Sequence, residues 1–200
     1  MLQPPTAILD FWFGHDTDDA AVAKKQAALW WSKNAAIDTD IKQRFEATLL
    51  AAAEGSLNAW METPFGRLAL ILLTDQVPRN IYRDTPQSFA FDSLARDWCK
   101  SGLELGVDKQ LRPIQRVFFY LPLEHSENIA DQKLSVQLFT ALANEAAAEL
   151  KSTFDGYVDF AQRHAAIVER FGRFPHRNAI LQRASTPAEQ EFLKQPGSGF

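Results

Sequence analysis

The sequence predicts an all-α fold, on three observations. Apolar residues recur every three or four positions along nearly the whole chain, the period of one helix face. Proline stands just inside several helix starts, at Pro5, Pro64, Pro86, Pro113 and Pro187, three of them preceded by a threonine. No segment shows the apolar–polar alternation of a half-buried strand, and no Pro/Gly/Ser-rich linker divides the chain. Residues 1–200 are therefore expected to form one domain, long enough to bury a large core.

The first helix runs from Pro5 to Phe13, with Gly14 suited to the position after its end. A second covers about Asp19–Lys33. For the third, Asp38 is the expected N-cap, and Ile41, Phe45, Leu49 and Ala52 form one apolar stripe that stops at Gly55. Thr63-Pro64 opens a fourth helix. Its run Leu68–Leu73 is apolar all round, which places it in the middle of the fold. Pro78 is expected to end it, because proline lacks an amide donor and clashes with the preceding turn. The next helix starts at Thr85-Pro86, carries Phe91, Leu94, Ala95 and Trp98, and stops at Gly102 or Gly106. Further helices are expected at about Pro113–Tyr120, Leu123–Leu150 and Phe154–Phe171. Thr186-Pro187-Ala188-Glu189 forms a capping box for a last helix, and the tail Pro196–Phe200 is expected to be irregular.

Composition narrows the functional classes. Hydrophobic residues make up 46% and charged residues 23%, which separates the chain from disordered proteins. Five Trp and fifteen Phe supply a large aromatic core. A net charge of −4 argues against a nucleic-acid surface. The one cysteine, Cys99, cannot form an internal disulfide, Asp10 interrupts the N-terminal apolar segment, and Leu68–Leu73 is too short to span a bilayer. These features lead to a cytoplasmic protein with no membrane partner.

Function is sought where charged residues extend an apolar stripe. Leu68 and Leu72 are continued by Asp75 and Gln76, just before Arg79; Asp75 could simply pair with Arg79 or Arg83. Leu134, Leu138 and Ala141, traced back through Asp131, lead to Glu127 and Glu124 beside His125. On this spacing both carboxylates face inward at the positive start of a helix, where they serve as a helix cap, an acid/base pair or metal ligands. Tyr157, Ala161, His164 and Val168 share a third face, which runs out into Gly172-Arg173-Phe174-Pro175-His176-Arg177-Asn178. His164 is either a satisfied core histidine or a site residue. Two corners also echo one another: Pro78-Arg79-Asn80 leads through Arg83 to Thr85-Pro86, and His176-Arg177-Asn178 leads through Arg183 to Thr186-Pro187.

The candidate ligand-binding set is therefore Asp75, Arg79, Glu124, His125, Glu127, His164, Arg173, His176, Arg177 and Asn178, with no catalytic role assigned. Arginine forks suit carboxylate or phosphate groups, so the expected partner is an anionic small molecule. No metal-ligand spacing such as HExxH appears, nor a nucleophile elbow, P-loop, dinucleotide fingerprint or zinc finger, so no metal and no cofactor is implied.

The strings Leu9–Gly14, Gly66–Leu70, Asp75–Asn80, Phe118–Glu127 and Phe171–Asn178, with the closing Pro196-Gly197-Ser198, resemble the bacterial family called domain of unknown function 924. The resemblance covers essentially the whole chain. It implies a tetratricopeptide-like right-handed superhelix of about eight to ten helices, and brings neither an established activity nor assigned catalytic residues. The chain departs from the family's pattern at Leu181-Gln182-Arg183, where a glycine is expected before the arginine. Two readings of function stand at this point. One is a cytoplasmic enzyme or binding protein for an anionic small molecule, with an Arg/His/carboxylate pocket. The other is an interaction scaffold that holds a partner peptide in a concave groove, as helical repeats often do.

Overall fold

The computed structural model describes residues 1–199; Phe200, the last residue of the tail expected to be irregular, lies outside the described residues. The fold is all-α. The helices are α1 (Pro5–Phe13), α2 (Asp19–Trp31), α3 (Ala35–Ala53), α4 (Pro64–Ile71), α5 (Val77–Ile81), α6 (Asp92–Glu104), α7 (Pro113–Glu124), α8 (Ile129–Glu145), α9 (Ala148–Phe171) and α10 (Pro187–Leu193). Among the described residues there is no strand, and no helix is long and apolar enough to cross a membrane.

Two helices form the centre. Leu68 to Leu73 are without solvent exposure, as the run of unbroken apolar residues requires, and α4 touches α1, α6 and α7. The second is α7, in which every residue from Val117 to Glu124 is buried. Aromatic rings lock the N-terminal helices onto it. Phe118 meets Trp12, Phe13 and Trp30 at centroid distances of 5.7, 5.5 and 4.7 Å, and the Trp30 indole donates to the Trp12 carbonyl at 2.9 Å. One core cluster runs from Ile8 to Ala161, and a satellite of Ile167, Val168 and Phe174 lies beneath α9 and the C-terminal segment.

Several boundaries differ from the sequence reading. Asn34, not Asp38, caps α3, accepting from the amides of Ala36 and Ile37. Asp38 lies in the first turn and pairs with Arg83 instead. Pro78 does not end its helix. A π-turn at Leu72–Gln76 links α4 to α5, with the Val77 amide bonding back five residues to Leu72, and the widened ladder carries the chain through the proline. Side chains help to occupy the turn's carbonyls: Arg79 donates to Asp75 O and Asn80 to Gln76 O. Likewise α7 passes through Pro122 to Glu124. The expected Leu123–Leu150 helix is in fact three pieces. It breaks at Ser126–Asn128, where Asn128 caps α8, and again at the extended Ala146 and Ala147.

Gly102 does not terminate α6; Gly106, in the left-handed region at φ 66°, follows its end. Gly102 serves packing instead. A Cβ there would sit 2.6 Å from Phe119 Cζ and 2.8 Å from Arg67 Cδ. Arg67 cannot yield easily, since its buried guanidinium bonds Met61 O, Trp98 O and Ser101 Oγ. Helix propensity favours alanine by about 1 kcal/mol, but overpacking costs about 1–3 kcal/mol. Gly102→Ala is therefore expected to lower the unfolding free energy in urea; a rise would show that this contact is slack.

Candidate functional site

The site is built outward from Asp75. The π-turn sets its side chain in the interior, with no solvent exposure. Its carboxylate accepts from Gln76 Nε2 at 2.6 Å and from His125 Nδ1 at 2.7 Å, and lies 3.3 Å from Arg79 Nη1. Burial alone would raise its pKa. Arg79 and His125 alongside, with the two hydrogen bonds, hold it well below the usual carboxylate range.

Arg79 extends the cluster to the next helix. It grips Asp92, the first residue of α6, through two bonds of 2.8 and 3.0 Å. A second arginine reaches Asp92 from the short turn Pro175–Arg177 after α9: Arg177 Nη1 lies 3.4 Å from Oδ2. Burial pushes the Arg177 pKa down to about 10, helped by Arg79, although Asp92 and Glu127 partly offset the loss.

The α7 terminus supplies the rest. His125 caps α7, and Gln132 from α8 fixes that end by donating to the carbonyls of Glu124 and Ser126, each at 2.6 Å. With Nδ1–H given to Asp75, the His125 ring presents Nε2 as an acceptor. Nε2 makes no hydrogen bond to a described residue, and the side chain is 15% exposed. Burial and Arg79 hold the ring's pKa below its ordinary value, against the pull of Asp75. Glu124 is buried beside it, and burial together with Asp75 pushes its carboxyl up to about 8. His164 Nδ1 donates to Phe160 O at 2.8 Å, and Glu124 Oε1 lies 3.2 Å from the same nitrogen. Despite that distance the two are not an ion pair at neutral pH. Burial takes His164 down to about 3 while Glu124 keeps its proton. His176 is likewise pushed to about 4 by burial and Arg177. The rings follow one another through the site: His125 to His164 at 6.3 Å, His164 to Phe174 at 5.5 Å, and Phe174 to His176 at 5.5 Å.

The structure thus brings together Asp75, Arg79, Glu124, His125, His164, His176 and Arg177. It does not bring Arg173, whose fork closes on Glu189 at the start of α10. Glu127 and Asn178 brace the corner behind the cluster. Glu127 accepts two bonds from Arg183 and one from the Phe174 amide, while Asn178 joins Arg183 to Ser185. Glu124 and Glu127 also do not share the positive start of a helix: Glu124 ends α7 and Glu127 lies in the loop after it. The sequence reading missed Asp92, which no stripe marks because it opens its helix, and Gln132, which is hidden as one polar residue among many in α8. No three of His, Cys, Asp and Glu among the described residues are grouped to hold a metal ion. Two shallow hollows of about 490 and 510 Å³ lie elsewhere, one along the α1–α2 loop at His15 and Lys25, the other at Arg170 and Arg173.

Comparison with known families matches residues 8–197 to the family described as bacterial protein of unknown function, domain of unknown function 924. The chain belongs to this family. A solved structure of a protein of unknown function from Agrobacterium tumefaciens is similar at 38% identity and a TM-score of 0.81, over 95% of this chain and 96% of that one. No curated protein matches. Gln182, where a glycine is expected, has φ 55°, the left-handed region in which glycine is the least strained residue.

The opposed pKa shifts predict a pH dependence of stability. Glu124 is raised from 4.5 to about 8, so the stability it contributes is present below pH 4.5 and is lost as pH rises through about 8. His164 and His176 are depressed from 6.5, so their effect is complete above that value. Between pH 6.5 and 8 stability should therefore fall by up to about 1.4 kcal/mol per pH unit. Glu124→Gln should flatten the fall, measured by thermal denaturation across that range. An equal fall in the variant would mean that Glu124 is ionised when folded.

Proposed function

We propose that the chain binds a small anionic molecule beside His125, and that His125 acts on it as a general base. The observation that carries this reading is the Asp75–His125 pair. A fully buried carboxylate takes Nδ1–H at 2.7 Å, which leaves the Nε2 lone pair without a hydrogen-bond partner among the described residues, on a partly exposed ring. Held this way, Nε2 accepts a proton from a bound molecule, and Asp75 stabilises the imidazolium that forms. His125 is the residue that meets the ligand, and Asp75 is a positioning residue behind it. The donors of Arg177 support an anionic partner, since it meets the Asp92 carboxylate only at 3.4 Å. The lone buried thiol of Cys99 fits a reducing compartment, and we place the activity in the cytoplasm.

The scaffold reading has less to support it. The large exposed apolar side chains Trp31, Leu50, Phe65, Ile129 and Phe160 belong to five different helices. Nothing in that distribution favours a peptide groove.

The test is nitrogen-15 NMR of the histidines at neutral pH, followed by titration with a panel of small carboxylic and phosphorylated acids. His125 is expected as the neutral Nδ1–H tautomer, with Nε2 shifted by at least one member of the panel. A charged ring, the Nε2–H tautomer, or an Nε2 signal that no acid moves would contradict the proposal.

A further inference from the structure

Arg177 packs against two aromatic rings, its guanidinium carbon 4.6 Å from the centres of both Phe89 and Phe174. The side chain is only 8% exposed. An arginine buried this deeply normally spends all its donors, because each unpaired charged donor forfeits hydration. Arg177 does not. Nη1 has its long contact with Asp92, which Arg79 already holds through two shorter bonds. Nε is buried, and neither it nor Nη2 bonds to a described residue.

Nε and Nη2 form one edge of the guanidinium, from which two N–H bonds project in parallel. Elsewhere in this chain that edge closes on carboxylates. Arg83 uses it on Asp38 at 2.6 and 2.9 Å, and Arg173 uses it on Glu189 at 2.6 and 2.8 Å. The rings of Phe89 and Phe174 both pack against the Arg177 guanidinium, which leaves its N–H groups as the polar feature an anion can meet.

We infer that the Nε–Nη2 edge of Arg177 anchors a carboxylate of the ligand, and that the site selects carboxylates over phosphates. The inference rests on the His125 reading and narrows its ligand class. Two parallel N–H donors match the two oxygens of a planar carboxylate. Charge decides against phosphate. Asp75 and Asp92 already offset Arg79 and Arg177, so a carboxylate adds one negative charge where a phosphate group adds about −1.5 to −2. The His125 ring sits two ring contacts away, from His164 to Phe174, the ring that packs against Arg177. The same cluster therefore holds both the arginine that would anchor the carboxylate and the histidine proposed as base.

The experiment titrates the full chain with acetate, benzoate, benzamide and inorganic phosphate, following the Arg177 Nε–H and His125 Nε2 signals by NMR. Acetate and benzoate are expected to shift the Arg177 Nε–H signal, benzamide to leave it unmoved, and phosphate to bind at least tenfold more weakly than benzoate. Arg177→Lys keeps the charge and loses the fork, and should weaken benzoate binding at least tenfold. Should that variant fail to fold, the wild-type Nε–H signal alone decides. Phosphate binding as tightly as benzoate while shifting His125 would overturn the carboxylate inference and leave the His125 reading standing. Shifts at neither residue with any probe would overturn both.

Discussion

Burying an ionised carboxylate costs several kcal/mol unless charges and hydrogen bonds replace the water it loses. Asp75 is wholly buried just beyond the unexposed run Leu68–Leu73, and the groups around it supply that replacement. Arg79 brings the countercharge from one turn further on, and Gln76 and His125 bring hydrogen bonds. Each of these needs a partner in turn. Arg79 takes Asp92, which fixes the start of α6, and Asp92 draws in Arg177 from beyond α9. His125 must stand at the end of α7, which Gln132 clamps from α8. Four separated segments are thereby tied to one charge. The same requirement leaves His125 with one ring nitrogen occupied and the other available, so the chemistry proposed for the site follows from the way the fold stabilises Asp75.

The two Arg-Asn corners repeat this chemistry. In the first, Arg83 grips Asp38 and also meets Asn80. In the second, Arg183 grips Glu127 and also meets Asn178. In both, the arginine just before the asparagine, Arg79 or Arg177, turns inward to Asp92. Each corner thus has one arginine that braces the corner through a carboxylate and the asparagine, and one that enters the site. Both contain a non-glycine residue at positive φ, Asp84 at 59° and Gln182 at 55°. The second corner is looser where it matters, because Arg177 reaches its carboxylate last and keeps two nitrogens unspent.

Much of this was legible in the sequence, and the reasons for the gaps are physical. Thr186-Pro187-Ala188-Glu189 reads directly as a capping box because the motif is wholly local, and the structure contains both of its bonds. The apolar run Leu68–Leu73 marks the centre because burial on every side needs no partner to be named. Pro78 misled for the opposite reason: a proline's cost can be absorbed by a π-turn, which is not visible in spacing. The break at Ala146–Ala147 carries no glycine or proline at all. At the site, inward-facing carboxylates and histidines betray themselves by interrupting apolar stripes. Arg173 and Asn178 looked equal to Arg177 in sequence, and only the positions of Glu189 and Ser185 separate bracing residues from the one that faces the cluster.

The central claim is that Asp75 and His125 act as one unit. A double-mutant cycle with Asp75→Asn, His125→Gln and the pair, read by urea denaturation at neutral pH, tests it most directly. Coupled residues of this kind show interaction energies of about 0.5–3 kcal/mol. The account predicts a coupling toward the upper end, because each single change leaves a buried polar group without its partner. Additivity to within about 0.5 kcal/mol, the behaviour of independent sites, would contradict it.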